Sequence, residues 1–325
     1  MIQYLLLLLV FFASELLYFS LAKRFKIVAK PNERSSHNNN TLLGGGIVFY
    51  ISMLAFFVIS KFQYPWFFVS LSFIAIASFV DDIKPYSSKL RMFLQLFSMI
   101  VLGCQIGLYE FPWFFILAFI IVSAGILNAF NFMDGINGMI GLTAFVVSGS
   151  LWYINRFCCY FIDEQVINYL LLALIVFNFF NFRKKPTCFA GDVGAISIAT
   201  ITVFLLSMLI LKTNNIAWIG LLAVFGVDTI LTIIHRLILK ENIFEAHRSH
   251  LFQLLVNELK FSHLSVSVIY ACLQATIIIG LLVFRQFALF YLIGVILTLS
   301  IIYYVLIKKY FHLHQLSHNT KNNNH

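Results

Sequence analysis

Repeated apolar runs of bilayer length leave this chain essentially one class of fold. They lie at roughly 2 to 22, 44 to 60, 65 to 80, 92 to 109, 112 to 130, 136 to 154, 166 to 182, 193 to 211, 215 to 234, 264 to 284 and 286 to 307. A helix needs about 20 residues to cross a hydrocarbon layer of about 30 Å, and every backbone N–H and C=O inside that layer must pair within the protein. The runs therefore predict an all-α, polytopic integral membrane protein of about 11 transmembrane helices. With 61% hydrophobic and only 11% charged residues among 325, a soluble globule is excluded. The first run, Ile2 to Ala22, has no basic residue ahead of it and no small-residue cleavage site, so it reads as a retained helix.

Lys and Arg orient the helices. The connecting segments that begin with 23–43 and end with the C-terminal tail carry 18 of these residues, and the alternate set carries 4: Lys61, Arg156, Lys212 and Arg285. Basic loops stay in the cytoplasm, which predicts the N-terminus outside and the C-terminus inside. The expected organisation is one transmembrane domain over 1–310 and a polar, disordered cytoplasmic tail over 311–325. The net charge of +9 is scattered between apolar runs and forms no basic domain, so the partner it implies is a bilayer and not a nucleic acid. Cys104 and Cys272 lie in apolar runs, Cys188 beside a cytoplasmic loop, and Cys158 and Cys159 side by side in an external one. None has metal-ligand spacing, and a structural or incidental role is expected of all five.

Against this background polar clusters at the ends of the runs stand out. Asp81 and Asp82 close the third run; ionised carboxylates there are tolerated at the interface, but within the membrane they are costly unless they face water, cations or substrate. Asn128, Asn131 and Asp134 follow one another at spacings of three, which puts them on one helical stripe, and Gly135 and Gly138 then permit a turn. That stripe serves either packing between helices or a site. Asp192, between Gly191 and Gly194, is placed to cap a helix or to offer a carboxylate to a divalent cation that keeps room for phosphate. Gly44 to Gly46, with Arg34 and His37 upstream, form either a linker or an anion-binding loop. Asp228 and Arg236, about two turns apart, read as an ion pair within the bundle. His247, Arg248 and His250 lack further zinc ligands and suit a pyrophosphate better. The predicted topology sets most of these groups at the cytoplasmic face, where a soluble substrate would meet them.

Together these segments resemble the polyprenyl-phosphate N-acetylhexosamine-1-phosphate transferases, glycosyltransferase family 4. The resemblance runs from Arg34 to Gln253, through Asp81-Asp82 with Arg91 and Gln95, Asn128-x-x-Asn131-x-x-Asp134-Gly135, Phe189-x-Gly191-Asp192-x-Gly194 and His247-Arg248-x-His250. It implies transfer of a sugar 1-phosphate from a cytosolic UDP-sugar donor to undecaprenyl phosphate, with release of UMP, at the cytoplasmic face of a bacterial inner membrane. It implies Mg²⁺, or Mn²⁺ in its place, held by Asp192. It assigns Asp81 and Asp82 to the region where a carboxylate activates the lipid phosphate. Asn131, Asp134, Gly135, Asn137 and Phe189 fall in its nucleotide pocket, with Phe189 stacked on uracil, and His247, Arg248 and His250 face the pyrophosphate. A homodimer is compatible with this family.

Two departures are visible. Asn137 stands where many members carry a second acid, and Leu42-Leu43 replace the Pro and basic residue that often precede the glycines. The form His-Arg-Ser-His-Leu-Phe-Gln differs from the three-His pattern of the peptidoglycan-precursor enzymes and is closer to members that start O-antigen and other surface polysaccharides. The expected donor is a UDP-HexNAc, UDP-GlcNAc for a common-antigen or teichoic-acid linkage unit being the alternative. A polytopic transporter, whose broken helices also carry polar clusters, is the competing class.

Overall fold

The computed structural model describes residues 2–29, 41–242 and 248–322, with side chains described as far as residue 311. Arg34, His37 and His247 lie outside the described residues. Twelve α-helices make up almost all of it: α1 (Ile2–Arg24), α2 (Ile47–Ile59), α3 (Pro65–Ile83), α4 (Ser88–Gln105), α5 (Trp113–Met133), α6 (Met139–Tyr153), α7 (Glu164–Asn181), α8 (Gly191–Thr213), α9 (Ala223–Ile238), α10 (Leu251–Asn257), α11 (His263–Val283) and α12 (Ala288–Asn322). A two-stranded antiparallel ribbon, β1 (Val28–Ala29) with β2 (Thr41–Leu42), is the one addition to an all-α fold among the described residues.

Every apolar run contains a helix, and among the described residues eight helical segments are long and apolar enough to cross a membrane. The other three runs form α2, α4 and α6, each shortened or diluted for a visible reason. Gly45 and Gly46 donate their N–H groups to the carbonyls of Phe189 and Ala190, so α2 starts only at Ile47. Ser87 caps α4 by accepting the Leu90 N–H, which brings Lys89 and Arg91 into its first turns. The turn after Asp134 delays α6 to Met139, and a π-helical turn over Ile154–Cys158 ends it. At the other end α12 continues as helix over 311–322, where composition alone predicts disorder; extending an existing helix avoids the cost of nucleating one.

The bundle is built around α8. Of its apolar window 83% is buried, against 17% for Arg285–Phe311 at the periphery. Small residues make this burial achievable: a Cβ added to Gly46 would come within 2.3 Å of the Gly194 Cα, so the start of α2 and the first turn of α8 meet backbone to backbone. The polar side chains of α8 close on their own helix, Thr200 and Thr202 donating to the carbonyls of Ile196 and Ile198. Between helices, Ser70 donates to the Ser98 carbonyl at 2.7 Å and Asn178 to the Gly141 carbonyl at 3.0 Å, tying α3 to α4 and α7 to α6.

Candidate active site at the start of α8

The first backbone donors of a helix have no partner within it and carry partial positive charge. In α8 two aspartates from other helices take them. Asp134, at the C-terminal end of α5, accepts the Gly191 N–H. Asp82, in the last turn of α3, accepts the Asp192 N–H on Oδ1 at 2.9 Å and the Val193 N–H on Oδ2 at 3.1 Å. The cap that Asp192 seemed placed to supply is therefore Asp82's. Gly191 has φ +71°, and a Cβ there would sit 2.7 Å from Asp82 Oδ2 and 2.8 Å from the Gly44 N, so the contact needs glycine.

With its backbone committed in this way, Asp192 turns its carboxylate to Asn131 and Asp81, both within hydrogen-bond reach. Asp81 Oδ1 accepts the Tyr86 N–H at 2.5 Å, and its Oδ2 lies 2.7 Å from Arg91 Nε. Arg91 Nη2 reaches Asp192 Oδ2 at 3.5 Å, so one guanidinium bridges the two acids. The side chains of Arg91 and Asp192 are 37% and 24% exposed and that of Asp81 3%, which makes Asp192 and Arg91 the accessible members. Beside them a narrow crevice opens between α3, α4 and α8, polar at Asp81, Arg91, Gln95 and Asp192 and apolar at Ile74 and Ile196.

Asp134 keeps some solvent contact as a residue, but its carboxyl is packed round by protein. Burial pushes that carboxyl well above the usual carboxylate range, and the Asp192 and Asp82 charges push the same way. Four carboxyl groups thus gather around one arginine and one helix N-terminus, an excess of acid that suits a divalent cation. Among the described residues no three His, Cys, Asp or Glu side chains form a ready-made metal cage. Mg²⁺ does not need one, because it is held by one or two carboxylates together with water and substrate phosphates. The donor set is compatible with it: Asp192 has the more exposed carboxylate and Asp81 lies adjacent.

The remaining predicted residues fall into two groups. Asn131 and Asp134 belong to the cluster, and Gly135 packs beside it against α10, where an added Cβ would meet the Phe252 ring at 2.9 Å. Phe189 is half-buried just before α8, held through its backbone by Leu42 and Gly45. The glycine loop is likewise held: the Gly45 and Gly46 N–H groups go to protein carbonyls, so an anion could not use those two. Asn137 is buried, donating to the Arg183 carbonyl at 2.9 Å and facing His263 Nδ1 at 3.4 Å, and so pins the turn to its neighbours. Asn181 holds the same turn from α7, accepting the Gly138 N–H at 2.7 Å and donating to the Cys188 carbonyl at 2.9 Å. Its one sequence signal was an Asn at the end of an apolar run, the pattern that singled out Asn128. Cys188 is buried next to Glu15, and burial, reinforced by the Glu15 charge, raises its thiol well above the usual value, so it packs as a neutral group.

The expected pair of Asp228 with Arg236 is not formed. Two turns of α9 separate them, and each finds a nearer partner: Arg236 Nε lies 2.9 Å from Glu241 Oε2 and its Nη2 donates to the Asn242 carbonyl at 2.7 Å. Asp228 instead meets His250, whose Nδ1 is 3.2 Å from Asp228 Oδ1. The His250 ring lies beside Phe132, centroids 5.7 Å apart, which brings it next to the Asn131–Asp134 segment. Arg248 is half-buried two residues before it.

Known proteins are similar to this chain in sequence. The chain is 27% identical over 204 residues, 55% of its own length and 54% of the relative's, to undecaprenyl-phosphate alpha-N-acetylglucosaminyl 1-phosphate transferase of Yersinia pestis. It is 31% identical over 127 residues, 39% of each chain, to phospho-N-acetylmuramoyl-pentapeptide-transferase of Latilactobacillus sakei subsp. sakei (strain 23K). The matches thus span about half or less of the relatives' own length. The family model for glycosyl transferase family 4 matches residues 64–211, the stretch from the start of α3 to near the end of α8 that supplies Asp81, Asp82, Asn131, Asp134 and Asp192. The segment over residues 64–211 is thus similar to glycosyl transferase family 4, and the all-helical membrane architecture agrees with that likeness.

Proposed function

We propose that this protein transfers a HexNAc-type sugar 1-phosphate from a UDP-sugar to undecaprenyl phosphate, releasing UMP, as the first membrane step of a cell-surface polysaccharide. The observation that carries this reading is the acidic cluster at the start of α8, with Asp192 and Asp81 bridged by Arg91. Joining two phosphates demands neutralisation and alignment of charge more than covalent chemistry by the protein. In the proposed reaction an oxygen of the lipid phosphate attacks the β-phosphorus of the donor, and the bond to the α-phosphate breaks. The electron pair leaves with UMP, and a dianionic lipid phosphate requires no net proton transfer.

Mg²⁺, held by Asp192 with Asp81 beside it, would neutralise the diphosphate when bound. Arg91 keeps Asp81 and Asp192 together and adds a cation near the acceptor phosphate. Asp82 and Asp134, committed to α8, hold Asp192 in place. Asn131, Gly135 and Phe189 line the approach of the nucleotide, and Arg248 and His250 donate to the diphosphate. The site would face the cytoplasm of a bacterial inner membrane, in keeping with the distribution of Lys and Arg. Absence of the three-His form favours a donor without a peptide, a UDP-GlcNAc-like sugar of the O-antigen or a related pathway. The test is release of UMP by the purified protein with undecaprenyl phosphate, Mg²⁺ and a panel of UDP-HexNAc donors. No turnover with any of them, at intact fold, would remove this reading.

A further inference from the structure

The buried acid of α9 has four neighbours that decide its chemistry. Asp228 Oδ2 accepts the Tyr270 hydroxyl at 2.6 Å from α11. Its Oδ1 accepts the Leu251 N–H at 3.1 Å from α10 and the Thr232 hydroxyl at 3.2 Å from its own helix. A carboxylate that receives three donors in a buried place is an acceptor, and His250 Nδ1, at 3.2 Å, meets it as a fourth donor when that nitrogen carries the proton. Two lone pairs at that distance would repel. His250 is itself the N-cap of α10, its N–H donating to Gln253 Oε1, so backbone and ring are both fixed.

We infer that Asp228 is a positioning residue for His250: it holds the proton on Nδ1 and turns Nε2, at the opposite edge of the ring, toward the diphosphate of the nucleotide sugar. This rests on the transferase reading above. With Nδ1 committed, protonation of Nε2 gives an imidazolium whose charge Asp228 balances, and Nε2–H donates to the α-phosphate oxygen as it takes the electron pair of the breaking bond. Tyr270 and Thr232 keep the carboxylate from rotating away. The capping box of α10 competes for the same ring, because the Gln253 N–H donates to the His250 side chain and needs an unprotonated ring nitrogen there.

Two measurements separate the arrangements. In protein labelled with ¹⁵N-histidine, with His250→Asn used to assign the signal, His250 should show a protonated Nδ1; an unprotonated Nδ1 overturns the proposal. In the UMP-release assay, Gln places an amide near the Nε2 position and Asn near that of Nδ1. His250→Gln should therefore keep at least ~10-fold more kcat than His250→Asn, and equal losses or the reverse order overturn it. Asp228→Asn, at wild-type thermal stability, should lower kcat ~10- to 100-fold with the donor KM within ~3-fold, and an unchanged kcat overturns the role. The nitrogen spectrum needs neither turnover nor an Asp228 variant. A chain that shows the protonated Nδ1 but releases no UMP would remove the proposed reaction and leave the Asp228–His250 contact standing.

Discussion

Asp82 Oδ1 accepts the backbone N–H of Asp192 at 2.9 Å, so the last turn of α3 is fastened to the first turn of α8 by the side chain of one acid and the main chain of another. This division of labour separates two residues that sequence alone placed together. Asp82 spends both oxygens on α8, whereas Asp81 and Asp192 share Arg91 at the accessible edge.

Substitution of Asp82 should accordingly register as lost stability before lost chemistry. Removing a cap that accepts two N–H groups costs ~1–2 kcal/mol, because the Asp192 and Val193 donors lose their partner. Asp82→Ala should lower the thermal midpoint of the detergent-solubilised protein, with Asp82→Asn falling between it and wild type, because the amide retains one acceptor. A midpoint unchanged in Asp82→Ala would mean that other groups satisfy α8.

Arg91→Lys tests the bridge between the acids. The guanidinium meets Asp81 through Nε and Asp192 through Nη2, and a single ammonium cannot match both directions. Loss of one charged contact of this kind costs ~1.4 kcal/mol, a factor of ~10, in kcat/KM for the lipid acceptor. Full activity in Arg91→Lys would show that charge alone suffices there.

Much of this arrangement is legible in the sequence. The length and spacing of the apolar runs sufficed for the helices because a bilayer permits little else, and polar residues at run ends marked Asp81, Asp82, Asn131, Asp134 and Asp192. What sequence could not show was which oxygen meets which donor. Asp228 illustrates the reason: on one helix its neighbours are set by a 3.6-residue period, which suggested Arg236, but its real partners His250 and Tyr270 come from 22 and 42 residues away. The glycines of 44–46 were open to an anion-binding reading for the same reason, since their partners at 189 and 190 lie far along the chain.

Close packing at the crossing of α2 and α8 gives a prediction independent of chemistry. Gly194 faces Gly46 so closely that a Cβ on it would approach the Gly46 Cα to 2.6 Å, against backbone that cannot yield as a side chain could. Gly194→Val should cost ~2–3 kcal/mol through overpacking and reduce the yield of folded protein in membranes. Gly125, with nothing within 4 Å of an added Cβ, is the matched control, and Gly125→Ala should be neutral or slightly stabilising. Equal behaviour of the two would argue against this helix crossing.

Asp192 and Asp81 should fail in different ways when neutralised. Asp192 has the more exposed carboxylate, with Arg91 at 3.5 Å, whereas both Asp81 oxygens already have close partners in the Tyr86 N–H and Arg91 Nε. Asp192→Asn keeps the shape but removes the charge that would hold Mg²⁺ next to the diphosphate, and turnover should fall by a factor that shrinks as Mg²⁺ is raised. Asp81→Asn keeps the Tyr86 contact and leaves Asp192 charged but weakens the hold on Arg91 beside the acceptor phosphate, so metal binding should persist while kcat falls, and added Mg²⁺ should bring no recovery. Both variants must first match wild type in membrane level and thermal midpoint. The measurement is UMP release against Mg²⁺ concentration for the three proteins. Near-normal turnover of Asp192→Asn at ordinary Mg²⁺ would rule it out as the principal ligand, and equal rescue of both variants would mean that Asp81 shares the metal.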